Sequence, residues 1–338
     1  MNGTDSAGRF SSFSPKMACH PTCGSRHAEN ERAQVTEDQR TKAETAVRSC
    51  YSTWAETYYA DYFTNPTAYP PVHQDLIRNL VRKSGARTLL DAGCGPASML
   101  RNLVDLKLDL YGFDLTPEMV STARDVMSAT GLPRDHLWQG SVADASAFRR
   151  PGVTPDTFDA AICIGVLPHV PESVEQEAIV NLRNAVRPGG LVAVEARNQL
   201  FGLFTLNRYS YELFVEELIR MPLLAAEGVD ATTLVNVVEQ MKERFRMDLP
   251  PTRKGKSGEP GYDQVLSRTH NPFTLRQMFE AADFENVQTL FYHYHCLPPM
   301  FEQTIPDQFR KLSVAMEDPN DWRGHFMASA FILAGVRR

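Results

Sequence analysis

Two glycines one residue apart follow a carboxylate in this chain: Asp91, Gly93 and Gly95. Neither glycine carries a Cβ, so the backbone can turn sharply there and come close to a ligand. The carboxylate beside them would repel a pyrophosphate and suits a cationic ligand instead. A second carboxylate, Asp114, stands about twenty residues on, where it can reach a ribose. Ser98, three residues after Gly95, passes as the third small residue of a dinucleotide fingerprint, so that alternative stays open. Two histidines, His169 and His270, have the side chain suited to moving protons at neutral pH. Glu195, Arg197 and Asn198 close a later apolar run, and Arg268 and Asn271 flank His270; these five are the candidate substrate-binding residues. His293 and His295 alternate as a metal pair could, yet read better as strand side chains. Cys19, His20, Cys23 and His27 have zinc-ligating types, but the segment lacks apolar support and a second, separated ligand pair. No metal is expected.

The elements that must position these groups follow from periodicity. Thr88 to Ala92 is a short apolar strand, and Met99, Leu100, Leu103 and Leu106 after it have helical spacing. Further strands are expected at Leu108–Asp114, from Leu137, over Phe158–Gly165, Leu191–Ala196, Val287–Cys296 and Phe326–Val336. The near-continuous apolar run at 158–165 suits a strand covered on both faces. Helices are expected at Thr116–Met127, Val174–Ala185 and Asn271–Asp283, and from Phe301 to Met316. Thr116 can cap its helix, which leaves Asp114 free for a ligand. Val47, Cys50, Tyr51, Trp54 and Tyr58 recur at threes and fours, an aromatic helix ahead of the sheet. Residues 199 to about 270 interrupt the strand-helix alternation and are too long for a plain loop. Helical spacing over Tyr211–Ile219 and Leu234–Phe245 makes this a helical insertion. It is read as a cap over the substrate pocket or a dimerisation element.

Taken together, these features resemble the class I methyltransferases that use S-adenosylmethionine (SAM) and act on small molecules. Asp91, Gly93 and Gly95 match the family's acidic-x-Gly-x-Gly motif, with Ala97 where a third glycine often stands. The aromatic segment Tyr51–Tyr59, the segment Val166–Val170 after the fourth strand and the Arg187-Pro188-Gly189-Gly190 turn add to the match. The resemblance covers about residues 45–198 and 271–338. It implies an α/β fold, a doubly wound, mostly parallel seven-stranded sheet (Rossmann-like) with one antiparallel strand. It also implies SAM, which brings a sulfonium and an α-ammonium and no phosphate. Tyr51 then acts as a lid, and Asp91, Gly93, Gly95 and Asp114 hold the cofactor. Leu115 and Met119 pack on the adenine, with Ile164 also against the cofactor. The loop of Ser141 and Val142 lines the adenine, although the family often has an acidic residue where Ser141 stands. Asp144 is a second candidate for the adenine amino group. His169 and His270 are the catalytic candidates.

The organisation expected is a disordered tail at 1–40, lid helices at 41–86 and a SAM-binding core at 87–198. The insertion at 199–270 follows, and 271–338 completes the core. The chain has 338 residues, 43% hydrophobic and 22% charged, with a net charge of −6. Such a balance gives no basic surface for nucleic acid. There is no apolar run long enough for a membrane helix and no apolar leader, so a cytoplasmic protein without a membrane partner is expected. Six cysteines in this length do not make a disulfide scaffold. The function expected is methyl transfer to an oxygen, nitrogen or sulfur of a small molecule. The alternatives are an NAD(P)-dependent oxidoreductase on a similar sheet and a non-catalytic SAM-binding protein. A homodimer is left open.

Overall fold

A computed structural model describes residues 24–64, 69–152, 154, 156–219, 221–248 and 265–338, with side chains from residue 36 onward. The zinc reading of Cys19, His20, Cys23 and His27 lies outside the described side chains. Strands β1 (Thr88–Ala92), β2 (Asp109–Asp114), β3 (Leu137–Gln139), β4 (Phe158–Cys163), β5 (Val186–Arg197), β6 (Phe284–Tyr294) and β7 (Ala328–Arg337) form one sheet. Its order is β3-β2-β1-β4-β5-β7-β6. All neighbours are parallel except β7, which runs antiparallel to both β5 and β6. The strand order reverses between β1 and β4, and a crevice opens there at the carboxyl ends of the strands.

The alternation of side chains along each strand builds two cores. Leu90, Ala161, Val192 and Leu333 face one side, where they meet Ile179 and Leu182 of α4 (Glu172–Ala185) and Leu275 and Phe279 of α9 (Pro272–Ala281). Leu89, Ala160, Ile162 and Ala193 face the other. There they meet Ile77 and Val81 of α2 (Val72–Ser84) and Ala123 and Met127 of α3 (Pro117–Ser128). Each large aliphatic residue buried this way contributes about 1.5–3 kcal/mol.

The chain departs from its expected boundaries in instructive places. The helix expected from Thr41 begins at Gly24, as α1 (Gly24–Ser52), so the tail expected through residue 40 is helical over 24–40. That stretch lacks an apolar stripe but is rich in Ala, Glu, Gln and Arg, which favour helix on their own. The helix after the glycine turn is a tight 3-10 segment, Leu100–Leu106. Buried Ala97 sits at φ +61°, a left-handed position that no α-helix can start through. The expected helix over 301–316 is split into a 3-10 turn and α10 (Pro306–Ala315), because Pro306 fits a first helical position but not an interior one. The insertion holds α5 (Gly202–Thr205), α6 (Arg208–Glu212), α7 (Met221–Ala226) and α8 (Ala231–Lys242). Leu223, Leu224, Val235 and Val237 on the last two are exposed. Helix α11 (Gly324–Met327) precedes β7. Among the described residues no helix is long and apolar enough to cross a membrane.

Candidate functional site

The crevice at the β1/β4 reversal deepens into a cavity of about 630 Å³. Its floor is the turn after β1. Gly93 N–H and Cys94 N–H donate to the Phe113 carbonyl at 2.8 and 2.9 Å, which ties the turn to the end of β2. Gly93 is at φ +87°, and a Cβ there would meet Val166 Cγ2 at 2.3 Å. Gly93 is thus required by the protein's own packing. Gly95, at φ +51°, is different: a Cβ there would meet no atom within 4 Å. Its open face belongs to the cavity.

Asp114 leaves β2 and accepts Gly95 N–H at 2.9 Å on one oxygen and Thr116 N–H at 2.8 Å on the other. The expectation that Thr116 caps α3 and frees Asp114 therefore fails, since the Thr116 side chain makes no cap bond. Asp114 holds the loop and still has a lone pair on each oxygen toward the cavity. Asp91 is 1% exposed and lines the same cavity. Burial, followed by the charge of Asp114, pushes its carboxyl up to about 8. Ser98 Oγ, also buried and lining the cavity, has no hydrogen-bond partner among the described residues.

The N-terminal segment covers this floor. Glu44 and Tyr51 of α1, then Tyr58, Tyr62, Phe63 and Tyr69, all line the cavity. The Arg101 guanidinium lies 3.9 Å over the Tyr59 ring and donates to the Pro96 carbonyl at 2.8 Å, fastening the cover to the glycine turn. Tyr51 Oη lies 3.0 Å from His169 Nε2, and His169 Nδ1 lies 2.7 Å from the Leu266 carbonyl oxygen. A carbonyl only accepts, so Nδ1 carries the proton and Nε2 accepts from the Tyr51 hydroxyl. Burial pushes His169 down to about 4. The opposite end of the cavity holds Glu195, Arg197, His73, Tyr292 and His293. Tyr292 donates to Glu195 at 2.5 Å. Arg197 donates to Ser267.

A family model described as "Methyltransferase domain" matches residues 89–190, the stretch that carries the glycine turn, Asp114 and His169. Residues 89–190 are a class I SAM-dependent methyltransferase domain. Among curated relatives, the ubiquinone biosynthesis O-methyltransferase of Xanthomonas euvesicatoria pv. vesicatoria is 30% identical over 140 residues, 41% of this chain and 54% of that protein. The protein of that name from Xylella fastidiosa (strain M23) is 33% identical over 140 residues, again 41% of this chain and 53% of its own. The chain spans about half the length of the curated relatives it matches. Among solved structures, magnesium protoporphyrin IX methyltransferase from Synechocystis PCC 6803 with bound SAH is 15% identical. It covers 79% of this chain and 82% of that one, with a TM-score of 0.42.

The methyltransferase cavity gathers the ten residues expected to hold the cofactor: Tyr51, Asp91, Gly93, Gly95, Asp114, Leu115, Met119, Ser141, Val142 and Ile164. It gathers His169, Glu195 and Arg197 as well, but not the remaining candidates. His270 is buried and pairs with Glu175 of α4, Nε2 to Oε1 at 2.8 Å. Arg268 meets the other Glu175 oxygen at 3.0 Å and the Val170 carbonyl at 3.0 Å. Asn271 caps α9. Asn198 caps the next turn and donates to the Gly324, His325 and Ala328 carbonyls. Asp144 caps a 3-10 turn through Ser146 N–H. The partners of His270 and Arg268 and the carbonyls that Asn198 reaches lie far away in the sequence, whereas Asn271 and Asp144 cap residues two positions on. None of the described residues of the insertion lines the cavity, although Leu266 and Ser267 at its return hold His169 and Arg197. Among the described residues no three His, Cys, Asp or Glu side chains gather to hold a metal. His293 and His295 stack on each other at 5.1 Å, and only His293 faces the cavity.

Glu175 is thus a buried carboxylate that meets Arg268 with one oxygen and faces His270 with the other. Glu175→Gln is expected to cost about 3 kcal/mol of stability in a urea titration, the scale for breaking a buried pair, while leaving SAM affinity within about threefold. Equal losses of stability and affinity per folded molecule would return His270 and Arg268 to the binding site.

Proposed function

We propose that this protein transfers the methyl group of SAM to a hydroxyl oxygen of a small aromatic molecule. The observation that carries the reading is the single cavity lined both by the glycine turn with Asp91 and Asp114 and by the hydrogen-bonded Tyr51–His169 pair. SAM fits the first part. The buried Asp91 carboxylate, the Ser98 hydroxyl, unpartnered among the described residues, an open glycine face and the Asp114 lone pairs suit a cation, an amino-acid carboxylate and a ribose diol. When bound, SAM supplies an electrophilic methyl. The tyrosines and histidines of the opposite end suit a flat acceptor. An acceptor hydroxyl that meets the Tyr51 oxygen can pass its proton there as the Tyr51 proton moves to His169 Nε2. The resulting imidazolium still donates from Nδ1 to Leu266. Alignment within the cavity contributes several kcal/mol more.

An oxygen acceptor also accords with the O-methyltransferase name of the curated relatives. The family match does not favour the oxidoreductase or the non-catalytic alternative. We place the reaction in the cytoplasm, without nucleic acid, and assign the exposed apolar faces of α7 and α8 to contact between copies. The test is transfer of labelled methyl from SAM to a panel of phenols, catechols, amines and thiols, followed with SAH formation. Labelled aryl ethers support the reading; SAM binding with transfer only to nitrogen or sulfur, or to none, overturns it.

The buried Asp91 adds a pH signature. Its carboxyl is protonated below about 8 in the free protein and must ionise beside a ligand cation, so binding releases a proton. SAM affinity is therefore expected to rise with pH by up to about tenfold per unit and to level off above about 8. Calorimetry in buffers of different ionisation enthalpy counts the released proton. Asp91→Asn should flatten the dependence, and a slope that persists in the Asp91→Asn protein would assign the proton elsewhere.

A further inference from the structure

We infer that Glu44 of α1 reads the cofactor's base: its carboxylate accepts the exocyclic amino group of the adenine. The inference rests on the SAM reading above and deepens it.

With a cation at Asp91 and a ribose at Asp114, the base must lie beyond Asp114, against Leu115, Met119 and Val142. A buried amino group needs an acceptor, and a missing one costs the full desolvation of that group. The loop after β3 brings no carboxylate to the cavity. Ser141 Oγ accepts Ala143 N–H at 3.1 Å and gives its only proton to Glu44 Oε1 at 2.6 Å. The Asp144 carboxylate is turned away to its cap. The Val142 carbonyl accepts from Asn181 at 3.1 Å, and the Leu115 carbonyl from Gln139 at 3.2 Å.

Five carboxylates among the described residues line the cavity: Glu44, Asp61, Asp91, Asp114 and Glu195. Asp91 and Asp114 belong to the glycine turn. Asp61 accepts from Trp54 Nε1 at 2.6 Å, and Glu195 is held by Tyr292 at the opposite end. Of the five, Glu44 is the one tied to the base-lining loop. Arg40 and Arg48, one turn to either side on α1, approach it at 3.2 and 3.4 Å and fix the carboxylate at the cavity wall. Oε1 is filled by Arg40 and Ser141, while Oε2, which meets Arg48, keeps one lone pair for a further donor. The N-terminal helix thus provides the carboxylate that the loop, with Ser141, lacks.

The test measures binding of SAH and of its 6-deamino analogue, which has hydrogen in place of the amino group, by calorimetry. The full chain is used as wild type, Glu44→Gln and Glu44→Ala, with helix content checked by circular dichroism. The wild type is expected to prefer SAH by about 10- to 100-fold, the range for a hydrogen bond to a charged acceptor. Glu44→Ala should bring the two ligands within about threefold of each other, and Glu44→Gln, a neutral acceptor, should fall between. A purely structural Glu44 would weaken both ligands alike and keep their ratio, so an unchanged ratio in either folded variant overturns the inference. A wild type that binds SAH and its analogue equally also overturns it. One that binds neither overturns the SAM reading, and the inference with it.

Discussion

Gly95→Val is expected to lower SAM affinity by at least about 100-fold in a protein that still folds. The position has two properties that rarely coincide. Its backbone is at φ +51°, and the space a side chain would enter contains no protein atom within 4 Å. The left-handed conformation costs a β-branched residue about 1–3 kcal/mol of stability. That loss is tolerable in a sheet whose central strands are fully buried. The isopropyl group would then stand in the cavity between the turn and Asp114, where the ligand must lie against the backbone. Gly95→Ala places one methyl in the same space and should cost roughly tenfold. Gly93 provides the contrast. A Cβ there would collide with Val166 Cγ2 at 2.3 Å, so Gly93→Ala should lower the melting temperature more than Gly95→Val does. Calorimetry and thermal melts on the three variants separate the two glycines. Undiminished SAM binding by a folded Gly95→Val protein would remove the cofactor from this turn.

The difference between these glycines is invisible in the motif, and it marks how far sequence carries. The strands were legible because their apolar runs and alternation are local. The ten cofactor-side candidates fall in one cavity because the glycine turn, the carboxylate beyond it and the post-strand loops recur at fixed places along a doubly wound sheet. The substrate-side candidates depended on which long-range partner claims each side chain. Arg268 and His270 sit where a strand-end reading expects ligand contacts, yet Glu175, some ninety residues earlier, takes both. The same logic hid Glu44, whose meaning comes from Ser141 across 97 positions. His73 and Tyr292 were missed for the same reason, and His293 was set aside as a strand side chain. His293, at φ +62°, breaks the strand alternation, and the consecutive Tyr292 and His293 both line the cavity. Chain position at the ligand-binding end of the sheet does not by itself fix where the helices of the insertion pack.

His169→Ala is expected to lower the rate of methyl transfer by about 10²–10⁴-fold, the range for loss of a positioned proton acceptor. SAM affinity should change little. The pair with Tyr51 decides how the loss depends on pH. A solvated histidine would titrate near neutrality, and the sequence alone leads one to expect an inflection there. The buried His169 is pushed down to about 4, so between about pH 5.5 and 8 it is neutral, with its Nε2 lone pair directed at the Tyr51 hydroxyl. At saturating SAM, which removes the contribution of Asp91, the ratio of wild-type to His169→Ala rates should therefore be constant across that window. It should shrink only as the pH falls toward 4, where protonation turns Nε2 from acceptor into donor. Tyr51→Phe should produce a loss of similar size if the proton travels through the tyrosine oxygen, and the double variant should be little worse than either single one, because the two groups act as one relay. A ratio that varies between about pH 6 and 7 would show that His169 titrates there and acts alone. If Tyr51→Phe, His169→Ala and the double variant all keep full activity, no proton is being removed. An acceptor such as a thioether, which has none to lose, would then replace the hydroxyl in the reading of this cavity.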